Sequence, residues 1–118
     1  MPRSIWKLQL DSSSIESAKK VMNSCVRAFN RPPMEASIEP YQKGGYMARL
    51  EFYHSDNFTW PEIVCEVIEF GQKLGSGWRQ YGDIREESNA VLNKLSGDHI
   101  SIPGLQWAEW LVINERQA

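Results

Sequence analysis

Few residue types in this chain could carry out chemistry, and their surroundings decide how each is read. His54 and His99 each lie near an aspartate, in the stretches HSD and DH. A carboxylate beside an imidazole can polarise it for general-base work, although such neighbours are more commonly polar residues of loops and strand ends. Cys25 and Cys65, the two cysteines, fall on stretches of helical periodicity. A thiol on an apolar stripe is desolvated and a poor nucleophile, so both are expected as free, mostly buried thiols of a reducing, cytoplasmic compartment. No CxxC, HxxxH or HExxH spacing offers a metal site. KGGY and GSGW are short glycine turns without the strand, glycine loop and helix that cradle a phosphate. No cofactor is implied, which leaves the surface of the protein to carry its function.

Charge bears on that surface. Residues 1–34 hold six basic residues against two acidic ones, whereas the remainder holds seven basic and thirteen acidic. A chain divided this way can present an acidic face while its total stays at -2. An acidic majority argues against a polyanion as partner. The segment KGGYMARLEFY starts with the Lys-Gly of an RNA-recognition strand, but Gly45 and Met47 stand where aromatics belong. Neither nucleic acid nor membrane is therefore expected to bind. The N-terminal MPRSIWKLQL has no apolar core of signal-peptide length.

At 118 residues, 42% hydrophobic and 24% charged, the chain has the size and composition of a single folded domain, residues 1–118. SIWKLQL reads as a first strand ending at Asp11. Ile15, Ala18, Met22, Cys25, Val26 and Phe29 then recur at intervals of three and four, a helical stripe. Ser13 and Glu16 fit a capping box at its start, and Arg31 to Pro33 stop it. EASIEPYQKGGYMARLEFYH predicts a hairpin turning at Lys43 to Gly45, with Ala48, Leu50 and Phe52 on the core face and Pro40 at an edge or bulge. TWPEIVCEVIEFGQKLG predicts a second helix capped by Thr59 and Glu62, with Ile63, Val64, Val67, Phe70 and Leu74 buried and Glu69 spaced to pair with Lys73. The last third reads as strands: WRQYGDIREE interrupted at Gly82, an ambiguous NAVLNKL, and HISIPGLQWAEWLVIN broken at Pro103 and Gly104. The expected fold is α+β, a two-layer ferredoxin-like βαββαβ sandwich with a strand-rich C-terminal extension and two helices on one face of a mainly antiparallel sheet.

Such a sheet leaves its second face to solvent or a partner. Trp107 and Trp110 are an odd number of residues apart, so a regular strand turns them to opposite faces. Leu105, Leu111 and Ile113 share the parity of Trp107, which assigns Trp107 to the core and Trp110 to the surface as an anchor; Ala108 and Val112 make the other face apolar as well. Glu62, Glu66 and Glu69 form one acidic group, and Asp83, Glu86 and Glu87 another, with Tyr81 nearby. Aromatic anchors with acidic rims suit association with a basic partner, while the plainer alternative is an ordinary charged surface over an aromatic core.

GWRQYGDI, the terminal ISIPGLQWAEWLV and the two helices before them resemble the small cytoplasmic immunity proteins of bacterial polymorphic-toxin and contact-dependent growth inhibition systems. That resemblance implies a non-catalytic inhibitor, monomeric before complex formation, which neutralises a cognate toxin domain such as a nuclease. Glu62, Glu66, Glu69, Tyr81, Asp83, Glu86, Glu87 and Trp110 are then the expected contact residues. Rival readings are a ligand pocket or enzymatic site around Arg49, Tyr53 and His54, an RNA-binding module on the same βαββαβ order, and an oligomerising domain that buries its open sheet face.

Overall fold

A computed structural model describes residues 2–82, 85 and 88–113 of the chain. Strand β1 (Arg3–Leu10) leads into helix α1 (Ile15–Phe29), hairpin strands β2 (Glu35–Pro40) and β3 (Tyr46–Tyr53), and helix α2 (Trp60–Leu74). The remainder is β4 (Gly75–Ser76), β5 (Arg79–Tyr81), β6 (Ser88–Asn93), a short 3-10 turn, β7 (His99–Ile100) and β8 (Leu105–Ile113). Six strands form one antiparallel sheet in the order β2-β3-β1-β8-β6-β5, and β4 pairs separately with β7. The molecule is thus α+β, with two helices and a mainly antiparallel sheet. The expected strand-rich final third is present, but its last strand returns to the middle of the sheet beside β1.

Alternation along the strands selects one buried face. Trp6, Leu8 and Leu10 of β1 join Ala48, Leu50 and Phe52 of β3, Ala90 and Leu92 of β6, and Ala108, Trp110 and Val112 of β8 in a single core. Ala18, Cys25 and Phe29 of α1 and Ile63, Val67, Phe70 and Leu74 of α2 enter the same core, so both helices cover this face. Aromatic rings meet at their centre: Phe29 lies 5.0 Å from Trp6 and 5.3 Å from Phe70 between ring centroids, separations typical of favourable tilted packing. β2 is an edge strand and ends at Pro40, where the missing N–H leaves no ladder bond unmade. No helix among the described residues is long and apolar enough to cross a membrane.

The helix ends follow their local chemistry. Thr59 and Glu62 form the expected capping box, and replacing Thr59 by alanine should lower stability by about 1 kcal/mol in a denaturant titration. In α1 the cap is Ser14 and not Ser13, because the Ser14 hydroxyl accepts the Ser17 N–H at 3.2 Å. Asn30, at φ 57°, ends α1 in the left-handed conformation, its N–H donating to the Val26 and Arg27 carbonyls before the two prolines are reached. Lys73 does not pair with Glu69; its Nζ lies 3.5 Å from the Phe29 carbonyl, near the end of α1.

The faces of β8 are the reverse of those expected. Gln9 pairs with Trp107 but Leu10 pairs with Leu105, so Gln106 is an extra residue, a β-bulge. The bulge turns Leu105 to the same side as Ala108, Trp110 and Val112, all buried. Trp110 is 1% exposed and belongs to the core, while Trp107 is half-buried on the uncovered face. Parity counted through Leu105 fails because a bulge inverts alternation on one side of itself.

Candidate binding surfaces and a buried histidine network

Helical spacing places Glu62, Glu66 and Glu69 on the side of α2 away from Ile63, Val67, Phe70 and Leu74. Together with Phe58, Pro61 and Cys65 they line a shallow depression of about 370 Å³. Glu62 and Glu69 are exposed, and Glu66 is partly buried. Cys65 is exposed there, contrary to the expectation that both thiols are buried, because it lies one residue off the apolar stripe. Cys25 is buried, and loss of solvation raises its thiol pKa to about 12.

Glu66 also has an inward connection. Its Oε1 accepts from Arg31 Nη1 at 2.9 Å and lies 2.5 Å from Nδ1 of His54. The other imidazole nitrogen, Nε2, is 2.8 Å from the Ser4 hydroxyl, which accepts the Trp6 indole N–H at 3.0 Å. His54 is 1% exposed, and burial holds its pKa below the ordinary value, with the nearby Arg31 charge acting in the same direction and Glu66 opposing both. One proton arrangement serves a neutral ring throughout: Nδ1–H donates to Glu66, and Nε2 accepts the Ser4 O–H. Arg31 also donates to the Tyr53 carbonyl, and its guanidinium lies 5.5 Å from the Phe70 ring centroid.

Ser4, His54 and Glu66 have the connectivity of a nucleophile, a base and an orienting carboxylate. Ser4, however, is 0% exposed, with its hydroxyl already engaged by both Trp6 and His54. The arrangement closes a polar chain inside the core, satisfying every nitrogen of the buried imidazole. The partner of His54 is Glu66 on α2, a residue that the neighbouring Asp56 gave no reason to single out. Arg49 and Tyr53 do not converge with His54, since they lie on the sheet face opposite the core.

The other expected contact residues are dispersed. Tyr81, 52% exposed, is opposite Asn89, which in turn is opposite Leu111 on the uncovered sheet face. It is therefore separated from the carboxylates of α2 by the sheet. Trp110 is in the core, where its ring centroid lies 4.5 Å from that of Trp78 and its indole N–H donates to the Ser88 hydroxyl at 3.0 Å. Asp83, Glu86 and Glu87 lie outside the described residues. Among the described residues, no group of three or more His, Cys, Asp or Glu is arranged to hold a metal ion.

The uncovered face carries apolar and charged side chains side by side. Ile5, Leu111 and Asn89 form one cross-strand row, and Lys7, Glu109 and Val91 the next. Glu51, although on this face, is buried between Arg3 and Arg49, which donate to its Oε1 at 3.3 and 3.2 Å. Comparison of the chain with protein families, curated proteins and solved structures returned no match.

Proposed function

We propose that this protein is a non-catalytic inhibitory binding protein of the immunity type, which neutralises a basic toxin domain, such as a nuclease, through the outer side of α2. The observation that supports this reading is the depression lined by Glu62, Glu66 and Glu69 together with Phe58, Pro61 and Cys65. Carboxylates beside apolar side chains attract and orient a cationic partner, while the apolar side chains supply area that loses water on contact. Glu66 acts in this surface from a fixed position, because Arg31 and His54 hold one of its oxygens. Phe58 takes the aromatic role assigned from sequence to Trp110.

The fold fits the same proposal in its finer form. The order β2-β3-β1-β8, with α1 and α2 between strands, supports reading this part as a ferredoxin-like βαββαβ unit, with β5 and β6 as its extension. The protein acts as a monomer in the cytoplasm, and its two free cysteines suit a reducing compartment.

The test is capture of the tagged protein from its own cells, followed by measurement of any stoichiometric partner against the Glu69→Lys variant. Glu69 is exposed and makes no contact with the histidine network, so the variant should fold normally. Association with a basic toxin domain should slow by about threefold to tenfold at low salt, and the difference should shrink at high salt. A partner whose binding is unchanged by Glu69→Lys, or one without a basic surface, would refute the assignment to α2.

A further inference from the structure

On the opposite side of the molecule, the sheet register places Met47, Gln9 and Trp107 in one row and Arg49, Lys7 and Glu109 in the next. The loop after β2 comes to the rim of these rows. Within it the Tyr41 N–H donates to the Gly45 carbonyl and the Gly44 N–H to the Tyr41 carbonyl, both at 3.0 Å. Gly45 has φ +70°, and a Cβ there would lie 2.2 Å from the Leu10 carbonyl oxygen, so only glycine lets this loop sit so close to the end of β1. The result is a groove of about 650 Å³ lined by Tyr41, Met47, Trp107, Lys7, Lys43 and Glu109. That volume is in the range of small-molecule sites.

The groove combines three kinds of recognition. Half-buried Trp107 and Tyr41 offer aromatic surface, and Lys7 and Lys43 are exposed cations. Glu109, two residues from Trp107 on the same strand face, adds a carboxylate. Among the described residues, the side chains of Lys7, Lys43 and Glu109 form no ion pair or hydrogen bond, so all three are available to a ligand.

We propose that this groove binds a free guanine nucleotide. A flat base stacks on Trp107, the adjacent N1–H and N2–H donors of guanine meet the Glu109 carboxylate, and the phosphates meet Lys7 and Lys43. Adenine presents an acceptor at N1, which a carboxylate repels. A free nucleotide fits better than a nucleic-acid strand because a strand needs phosphate contacts along its length, whereas Glu35 and Glu39 stand on this same face in β2.

Calorimetric titration of the whole chain with GDP, ADP, guanosine and a guanine-containing single-stranded RNA tests the proposal, with far-UV circular dichroism reporting the fold of each variant. GDP should bind one to one and at least about tenfold more tightly than ADP. Trp107→Ala should weaken GDP binding by about tenfold or more. Glu109→Gln should remove most of the preference for GDP over ADP, and Lys43→Ala should weaken GDP but not guanosine. Equal affinity for GDP and ADP, or no binding of GDP, would overturn the proposal. RNA binding without GDP binding would also overturn it and assign the groove to nucleic acid.

Discussion

Replacing Trp110 by alanine is expected to destabilise the protein by about 3–5 kcal/mol, a large part of the stability of a domain this size. The indole is 1% exposed, lies 5.4 Å from Trp6 and 4.5 Å from Trp78 between ring centroids, and donates to Ser88. Its removal opens a cavity among large rings and leaves the buried Ser88 hydroxyl without this donor. α2 comes close enough that a Cβ on Gly71 would meet the Trp110 ring at 2.5 Å, so sheet and helix share the loss. Trp107→Ala, on the uncovered face, should change stability by less than about 1 kcal/mol. Urea titration of the two variants checks the pair of outcomes, and similar losses for both would contradict the assignment of faces.

Acid should loosen the joint around His54 before general protonation of carboxylates begins. The folded state holds the imidazole pKa below its unfolded value of about 6.5, so the unfolded chain binds the additional proton more readily. The stabilising effect of a neutral His54 is accordingly complete above that value and declines as pH falls from it toward the lower folded pKa. The groups facing the ring set this behaviour: Glu66 and Ser4 at its nitrogens, with Arg31 beyond Glu66. Denaturant titrations at a series of pH values should show a decline below about pH 6.5 that is absent in His54→Gln. Coincident slopes for the two proteins in that window would place the proton uptake elsewhere. At neutral pH, Glu66→Ala should cost about 2–3 kcal/mol, because it leaves the buried Nδ1–H without an acceptor.

Both expectations depend on features of uneven visibility in the sequence. The stripes of α1 and α2 were legible because their apolar spacing extends over several turns, and Thr59 with Glu62 marked the start of α2. The hairpin was legible from Gly44 and Gly45, and the edge position of β2 from Pro40. Three consecutive serines gave no basis for choosing Ser14 over Ser13 as the cap. In β8 the apolar residues occupy both parities, and only the pairing with β1 reveals the extra residue at Gln106. His54 finds its carboxylate on a different element, and its second partner is Ser4 at the other end of the hydrogen-bonded chain. Local patterns identify polar partners only when the partners are close in sequence. The carboxylates of α2 could be grouped by helical spacing, but their separation from Tyr81 follows from the sheet.

The central position of β1 has a consequence for synthesis. Arg3 is paired with Ile113 and Leu10 with Leu105, so β1 is bonded to a strand that is made only after both helices and the hairpin. Until β8 emerges, one side of β1 lacks its native strand partner, and the Trp6 ring lacks Trp110. Closing so long a loop is an entropically unfavourable step that local structure cannot replace. The nascent chain can therefore form its helices and the β2-β3 hairpin before β8 is made, whereas the sheet is complete only once β8 has joined β1, and a chain ending before β8 lacks the strand that closes its core.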